Sequence, residues 1–275
     1  MRLNRREFLA TTVAAAAVPV SLNALPGDSG PIKLSVATYS LRSFKRPEAI
    51  KMIQECKVKF ADVKDMHLPL TDSPEQLKAG VQEFKDAGIK VIGGGNITMK
   101  KPEQLRAAFE YAKTCGFATI ICAPAKEHLP AIEKLVQEFN IKIAIHNHGP
   151  EDAGFFPTPK SVLDAVKNMD PRMGLCIDIG HTSRTGADIV ESIAEAGPRL
   201  YELHTKDLKD KMGKDSQCPV GEGVLPIPEI FKQLAKQKYQ GYCSLEYEIN
   251  AKDPLPGMQK SFDYMRKVIT DLKLG

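Results

Sequence analysis

Four stretches of sequence decide the fold: IKIAIHNH (141–148), GLCIDIGH (174–181), LYELHTKD (200–207) and YCSLEYE (242–248). Each contains a short apolar run followed by polar residues, which is typical of a buried parallel strand that delivers side chains to one edge of a sheet. Among the polar residues are two imidazoles and two carboxylates, the types of ligand that bind a divalent metal ion: His146, Asp178, His204 and Glu246.

Alternation along these stretches indicates that their polar side chains face the same way. Successive residues of a strand point to opposite faces. The candidate ligands therefore share a face with small residues, as in the pairs Ala144 and His146, Cys176 and Asp178, and Ser244 and Glu246. We expect the bulky residues between them to face surrounding helices, and the polar set to face the interior of a barrel.

The whole chain repeats an alternation of strand and helix. Apolar runs predict eight strands, at residues 33–41, 61–67, 90–97, 118–123, 142–148, 173–179, 200–205 and 242–248. Amphipathic segments predict eight helices, at residues 47–56, 74–86, 102–114, 127–139, 159–168, 187–196, 226–237 and 253–272. We predict one α/β domain over residues 31–275, a single (β/α)8 TIM barrel. An open doubly wound sheet is disfavoured because the turn at 40–43 lacks a glycine-rich phosphate motif.

Composition places few further limits on function. The chain has 275 residues, 43% hydrophobic and 26% charged, as in ordinary globular domains. A net charge of +4 is too small to indicate a nucleic-acid partner. The six cysteines show no CxxC spacing; an oxidising compartment would permit a disulfide, but the sequence favours no pairing among positions 56, 115, 122, 176, 218 and 243.

Residues 1–27 have the pattern of an export signal. Arg5 and Arg6 precede an alanine-rich apolar segment at 10–20, as in a twin-arginine signal peptide. The alternative, an amphipathic first helix, would need a polar face that residues 13–20 lack. We therefore expect the twin-arginine translocation machinery to be a partner, and the protein to be periplasmic, or membrane-tethered if the signal stays uncleaved. The cleavage site is open, with Ala24 as a candidate.

Histidines are concentrated where the predicted strands end. One histidine in such a place is more often structural than a ligand. Five of the six lie there, together with two strand-borne carboxylates, and this combination favours a metal site: His67, His146, His148, His181 and His204.

Several of these motifs together resemble a known family. Asp178-Ile-Gly-His181, His204-Thr-Lys-Asp207, Gly221-Glu-Gly223 and Ser244-Leu-Glu246-Tyr-Glu248 are similar to the sugar phosphate isomerase/epimerase family. That family belongs to the xylose isomerase-like TIM barrel superfamily, which also contains endonuclease IV. The resemblance covers residues 33–275 and implies one divalent metal ion bound by Glu, Asp, His and Glu from strands five to eight.

The chain departs from the family at the first of these ligands. The last three carry over onto Asp178, His204 and Glu246, but His146 stands where members commonly have glutamate. Imidazole still binds such ions, so we expect Mn first, with Zn, Co or Fe also compatible. Because imidazole adds no negative charge, the ion would act as a stronger Lewis acid.

The resemblance implies a metal-dependent isomerase or epimerase that abstracts a proton next to the carbonyl of a sugar or polyol. In the family, two glutamates on opposite faces of the sugar exchange the proton. Here Glu246 remains as a base, with His148, His181 or His146 as the partner acid. A lyase or dehydratase on a keto-sugar would also need one base and an acid, and a hydrolase acting on a glycoside is a further alternative.

Two further residues are candidates for substrate binding. His67 ends the second predicted strand and could contact substrate hydroxyls, with a capped loop histidine as the alternative. Lys206 could orient a hydroxyl or carboxylate of the substrate. Asp207 could hold His204 by a hydrogen bond, and either Lys206 or Asp207 could instead form a salt bridge at the rim.

Two other classes of function stay open but are disfavoured. A DNA-repair endonuclease is disfavoured by the export signal, the mild charge and the additional histidines that a three-metal cluster needs. A non-catalytic sugar-binding barrel is disfavoured by the intact ligand set. Export favours a free sugar, glycoside or inositol over a sugar phosphate as the partner. A homo-oligomer is compatible with the sequence.

Overall fold

The computed structural model describes residues 24–274, in which eight parallel strands close into a barrel. The barrel strands are β1 Leu34–Ala37, β2 Phe60–Val63, β3 Lys90–Met99, β4 Thr119–Pro124, β5 Lys142–His146, β6 Met173–Asp178, β7 Leu200–Thr205 and β10 Tyr242–Leu245. Between β7 and β10, strands β8 Asp207–Leu208 and β9 Gln217–Cys218 form a separate hairpin. β10 pairs with both β7 and β1 and so closes the ring. The predicted (β/α)8 barrel is confirmed. The predicted export signal lies almost entirely outside the described residues.

Helices cover the outside of the barrel: α1 Arg46–Glu55, α2 Pro74–Asp86, α3 Pro102–Cys115, α4 Leu129–Phe139, α5 Pro159–Val166, α6 Ile179–Arg184, α7 Ile189–Ala196, α8 Ile227–Lys236 and α9 Leu255–Asp271. Ser73 Oγ accepts the Gln76 N–H at 3.3 Å, and Thr158 Oγ1 accepts the Ser161 N–H at 3.1 Å. Each cap satisfies a backbone donor that the first turn leaves unpaired. This is why α2 and α5 begin where the sequence predicts.

The core has two parts, as the alternation predicts. The bulky residues of β5, β6, β7 and β10 pack with the helices in one large cluster that includes Ile145, Ile177 and Leu245. Ile121, Ala144 and Cys176 form a separate small cluster inside the barrel. Small side chains therefore occupy the barrel interior beside the polar residues.

Four strands end at least two residues earlier than the sequence predicts: β1, β2, β5 and β10. At β2 and β10, side chains replace the strand partners of the backbone groups that follow. After β2, the Lys64 N–H donates to Thr38 Oγ1 at 2.8 Å. After β10, the Tyr247 N–H donates to Ser40 Oγ at 2.8 Å, and the Glu248 N–H donates to Gln217 Oε1 at 2.8 Å. The chain thus leaves the barrel wall near Val63 and Leu245, and the residues that follow form its mouth.

Two elements were missed by the sequence analysis. Helix α6 starts directly after β6 because Asp178 Oδ1 accepts the His181 N–H at 2.7 Å and caps it. The β8–β9 hairpin, which pairs Asp207 with Cys218 and Leu208 with Gln217, folds back the stretch between β7 and α8.

All six cysteines are free and buried. Within residues 24–274 no helix combines the length and apolarity that a bilayer span requires.

Candidate metal centre

The four predicted ligands meet at the carboxyl ends of the strands. Asp178 and His204 are directly opposite each other in the register of β6 and β7. His146 Nε2 lies 3.0 Å from His204 Nδ1 and 3.6 Å from Asp178 Oδ2. His204 Nδ1 lies 3.2 Å from Glu246 Oε2. One donor atom from each residue lies within 4.8 Å of all the others, and all four residues are buried.

This donor set fits a divalent ion. Ligands of one ion with bonds of about 2.1 Å lie roughly 3.0–3.4 Å apart in tetrahedral or octahedral geometry, close to the shorter spacings here. Asp178 Oδ2 is buried, and although Lys206 Nζ lies 2.8 Å from it, this oxygen has no hydrogen bond of good geometry. A carboxylate oxygen has more than one lone pair, so Oδ2 can bind an ion beside the ammonium. Two imidazoles with two carboxylates suit Zn, Mn, Fe or Co.

The protonation states of His146 and Asp178 suit an ion. Burial lowers the pKa of His146 to about 3, and the opposing effect of Asp178 is smaller. Burial opposes ionisation of Asp178, but nearby charges, that of Lys206 above all, outweigh it and hold the pKa of that carboxyl well below its usual range. At neutral pH His146 is therefore a neutral lone-pair donor and Asp178 is an anion, which are the forms that bind metals. Burial opposes protonation of His204, but the neighbouring Cys176 and Glu246 outweigh it and hold the pKa of this imidazole well above its usual range, so an ion would have to displace the His204 proton.

Lys206 lies against this group rather than at the rim. Its Nζ is 2.8 Å from Asp178 Oδ2, 3.0 Å from Glu246 Oε2 and 2.6 Å from Glu248 Oε2. A side chain at position 180 would place its Cβ 2.6 Å from Lys206 Cδ, so Gly180 leaves room for the lysine stem. Lys206 is only 4% exposed, so its salt bridges lie inside the mouth, with Glu248 as the one partly exposed partner among the three carboxylates.

His148 and His181 stand beside the four ligands at the mouth. The His148 and His146 rings are 4.4 Å apart, and the His181 and His146 rings are 5.8 Å apart. Asn96 Nδ2 lies 2.8 Å from His148 Nε2. Both histidines line a cavity of about 250 Å³ together with Tyr39, Lys64, Asn96, His146, Glu246 and Glu248. The structure therefore brings the three predicted catalytic residues to one cavity.

His67 is not part of this group. Its side chain is buried, and Nε2 lies 3.2 Å from the Phe44 carbonyl oxygen. The Arg46 guanidinium donates to the His67 carbonyl at 3.0 Å. Because β2 ends at Val63, the chain has already turned away from the barrel axis when it reaches His67. The substrate-binding role predicted for His67 has no support in this position, which matches the alternative of a loop histidine.

Asp207 supports the loop after β7 instead of holding His204. Its carboxylate accepts the backbone N–H groups of Leu208, Gly221, Gly223 and Leu225 at 2.9–3.1 Å. A Cβ at position 223 would lie 2.2 Å from Asp207 Oδ1. The Gly-Glu-Gly motif is therefore required for the loop to close around this carboxylate.

Three residues of the site were missed by sequence reasoning. Asp62 is buried in β2, with Oδ2 3.7 Å from His204 Nε2. Asn147 donates to Thr182 Oγ1 and accepts the Asp178 N–H at 3.0 Å. Arg184 lies against His181. Asp62 had a signal, a charged residue inside an apolar strand, whereas the roles of Asn147 and Arg184 depend on how β5, β6 and α6 meet.

The fold and the site together define a class of protein, the (β/α)8 barrels that carry a candidate metal centre at the carboxyl ends of their strands. Residues 58–268 match a family model described as the xylose isomerase-like TIM barrel. The chain therefore belongs to this family, and the resemblance drawn from its motifs is confirmed.

Individual relatives are distant. An inosose dehydratase of Bacillus anthracis is 25% identical over 150 residues, which cover 49% of this chain and 48% of that protein. The chain spans about half the length of the curated relatives it matches. Among solved structures, a protein of Parabacteroides distasonis has a TM-score of 0.68 at 26% identity and covers 86% of this chain and 99% of its own. An IolI protein with a bound zinc atom has a TM-score of 0.72 at 15% identity, with 87% and 99% covered.

Proposed function

We propose that the chain is a divalent-metal-dependent enzyme that removes the proton next to the carbonyl of a keto-sugar or keto-polyol, and that it acts as an isomerase or epimerase. The observation that carries this proposal is the position of Glu246, a buried carboxylate that both belongs to the candidate ligand set and lines the mouth cavity. The zinc atom in the IolI structure supports a divalent metal in this fold.

His146, Asp178, His204 and Glu246 would hold the ion, which as a Lewis acid polarises the substrate carbonyl. Glu246 is available to accept the proton because it is ionised: burial opposes its ionisation, but Lys206 and His204 outweigh burial and hold its pKa well below the usual range. The lowered pKa also makes Glu246 a weaker base than a free carboxylate, so the acidity of the substrate proton must come from polarisation of the carbonyl. His148 and His181 face the same cavity and can donate to substrate oxygens. Tyr39 and Lys64 also line this cavity.

Among the reactions that begin this way, isomerisation needs only one base. Epimerisation by two opposed carboxylates lacks one of its glutamates here, since His146 occupies the position where members of the family commonly have glutamate. We therefore place isomerisation before epimerisation.

Dehydration is the second candidate. It also requires one base together with an acid at the departing hydroxyl, and the matched relative from Bacillus anthracis is named an inosose dehydratase. The choice between the two reactions rests on the fate of the substrate after its proton is removed.

The experiment is a screen of keto-sugars and inososes with metal-loaded protein in deuterated water. Isomerisation predicts deuterium in the product without loss of water, whereas dehydration predicts an unsaturated product. Glu246→Gln should lower either rate by about 10²–10⁴-fold, the usual contribution of a general base. Exchange at the wild-type rate in this variant would remove Glu246 from the role of base.

We also propose that residues 1–27 direct export by the twin-arginine route, because Arg5 and Arg6 precede an alanine-rich apolar segment. Folded export would permit metal loading before translocation. Replacement of both arginines by lysine should retain the protein in the cytoplasm, as measured by fractionation. Unchanged export of that variant would contradict the proposal.

A further inference from the structure

The His181 ring contacts a buried arginine, Arg184, through Nδ1, the nitrogen turned away from the ligand cluster. Arg184 Nη2 lies 2.6 Å from His181 Nδ1, one helical turn away in α6. The Arg184 side chain is only 7% exposed, and its Nη1 is paired with the Glu151 carboxylate. The His181 backbone is fixed as well, because its N–H donates to Asp178 Oδ1. Both the ring and the backbone of His181 are therefore constrained.

The chemistry of the arginine restricts the proton on the histidine. A guanidinium has five N–H donors and no acceptor. His181 Nδ1 must therefore offer a lone pair to Arg184, and a neutral imidazole with a lone pair on Nδ1 carries its single proton on Nε2. Nε2 is the nitrogen turned toward the ligand cluster, 4.0 Å from Asp178 Oδ2.

We propose that Arg184 is a positioning residue that fixes His181 as a hydrogen-bond donor through Nε2, directed at an oxygen of the substrate. The same contact prevents neutral His181 from acting as a base or as a fifth metal ligand through Nε2, although its ring is 5.8 Å from that of His146. The role in turnover rests on the proposed function. Glu246 takes the proton from carbon, and the His181 Nε2–H stabilises the charge that develops on the oxygen.

The tautomer can be measured without a substrate. We would record long-range ¹H–¹⁵N NMR spectra of the full chain, loaded with zinc and labelled on histidine, and assign His181 from the His181→Gln variant. The expected result is an unprotonated Nδ1 and a protonated Nε2. Arg184→Lys should keep this pattern because ammonium also only donates, whereas Arg184→Gln should mix the tautomers because an amide oxygen can accept from Nδ1.

The matched control is Arg106→Gln, an exposed arginine paired with Glu138 between α3 and α4. It should leave the spectrum of His181 unchanged. A wild-type His181 protonated on Nδ1, or an Arg184→Gln spectrum identical to wild type, would overturn the proposal. If Arg184→Gln does not fold, as judged by thermal unfolding, the wild-type spectrum decides alone, because protonation of His181 on Nδ1 is incompatible with the contact from Arg184.

A kinetic measurement separates this proposal from the proposed function. On any substrate found in the screen, Arg184→Gln should lower kcat by about 10–100-fold with little change in KM, and Arg184→Lys should recover most of it. If no substrate undergoes exchange, the proposed function fails while the NMR result still stands. If exchange occurs and Arg184→Gln retains the wild-type kcat, the positioning role fails and the function survives.

Discussion

Strands β7 and β10 each carry polar residues toward both ends of the barrel, and the two ends differ in character. Glu202 and Ser244 lie deeper, where the Ser244 hydroxyl donates to the Glu202 carboxyl. Two residues further along each strand, His204 and Glu246 lie at the mouth, with Nδ1 and Oε2 3.2 Å apart. The cavity at the N-terminal end, about 460 Å³, is as large as a cavity of about 470 Å³ at the mouth and larger than the cavity of about 250 Å³ that His146 and Glu246 line. Glu202 is the one acid among the described residues that line the cavity at the N-terminal end.

The pKa values of the two buried glutamates are shifted in opposite directions. Burial, reinforced by Asp62, raises the pKa of Glu202 well above its usual range. Glu246 is equally enclosed, but Lys206 and His204 overcome the effect of burial and keep it ionised. In this barrel, convergent ligands and their charges therefore distinguish the candidate site from the opposite end, whereas the volume of a cavity does not.

The largest expected effect comes from removing a ligand at the mouth. Asp178→Ala should lower the affinity for Mn or Zn by at least about 100-fold, since even partners behind the ligands contribute 10–100-fold. Metal content after dialysis, measured by mass spectrometry, checks this. The matched control at the other end, Glu202→Gln, should bind metal like wild type. If both variants lose the same amount of metal, the ion does not bind specifically at the mouth of the barrel.

The loop that borders the mouth should depend strongly on Asp207. Asp207→Ala removes four charge-assisted hydrogen bonds to backbone N–H groups and should lower the free energy of unfolding by about 3 kcal/mol. Urea denaturation measures the change. Asp210→Ala, which removes one such bond to the Met212 N–H in the same exposed loop, should cost less than about 1 kcal/mol. A cost as small for Asp207→Ala would show that the loop is held elsewhere.

At the N-terminal end the expected effect is a gain in stability. The folded pKa of Glu202 is raised, so this carboxyl favours the folded state most below its unfolded pKa of about 4.3, and that contribution is lost as the pH rises toward the folded pKa. Glu202→Gln removes this titration. The free energy of unfolding of the variant minus that of wild type should therefore be about 1–3 kcal/mol larger at pH 8 than at pH 4. If the difference in free energy of unfolding between wild type and Glu202→Gln is the same at pH 4 and pH 8, the raised pKa is contradicted.

The smallest expected effect is at His67, which lies outside the mouth. His67→Gln should change metal content and turnover by less than about twofold and lower the free energy of unfolding by about 1 kcal/mol, because the bond to the Phe44 carbonyl is kept only in part. Steady-state kinetics and denaturation measure both. A drop in turnover comparable with that of Glu246→Gln would return His67 to the site.

Most of the fold could be predicted from the sequence because the patterns that indicate strands and helices lie within short segments of the chain. Apolar runs and proline-led helices predict the eight strands and helices, and strict alternation places Ala144 and Cys176 inside the barrel. The ends of β2 and β10 could not be predicted, because they depend on hydrogen bonds from Thr38, Ser40 and Gln217, residues distant in sequence.

The candidate site was predicted to a similar extent. The register of β6 and β7 brings Asp178 opposite His204, as equal spacing from the strand ends suggests. The contacts of Arg184, Asn147 and Asp207 are not visible in the sequence, because side chains of all three bind groups whose positions follow from the closed barrel.

Asn147 separates His146 from His148 and binds the next strand rather than the cavity. Its amide accepts the Asp178 N–H and donates to Thr182 Oγ1, so one side chain ties β5 to β6 and to the start of α6. Asp178 in turn caps that helix with the oxygen that does not face the histidines. The spacing between the candidate ligands therefore depends on hydrogen bonds that join the backbones of β5, β6 and α6 through the Asn147 side chain. A substitution at position 147 should lower the metal affinity although all four candidate ligands are still present.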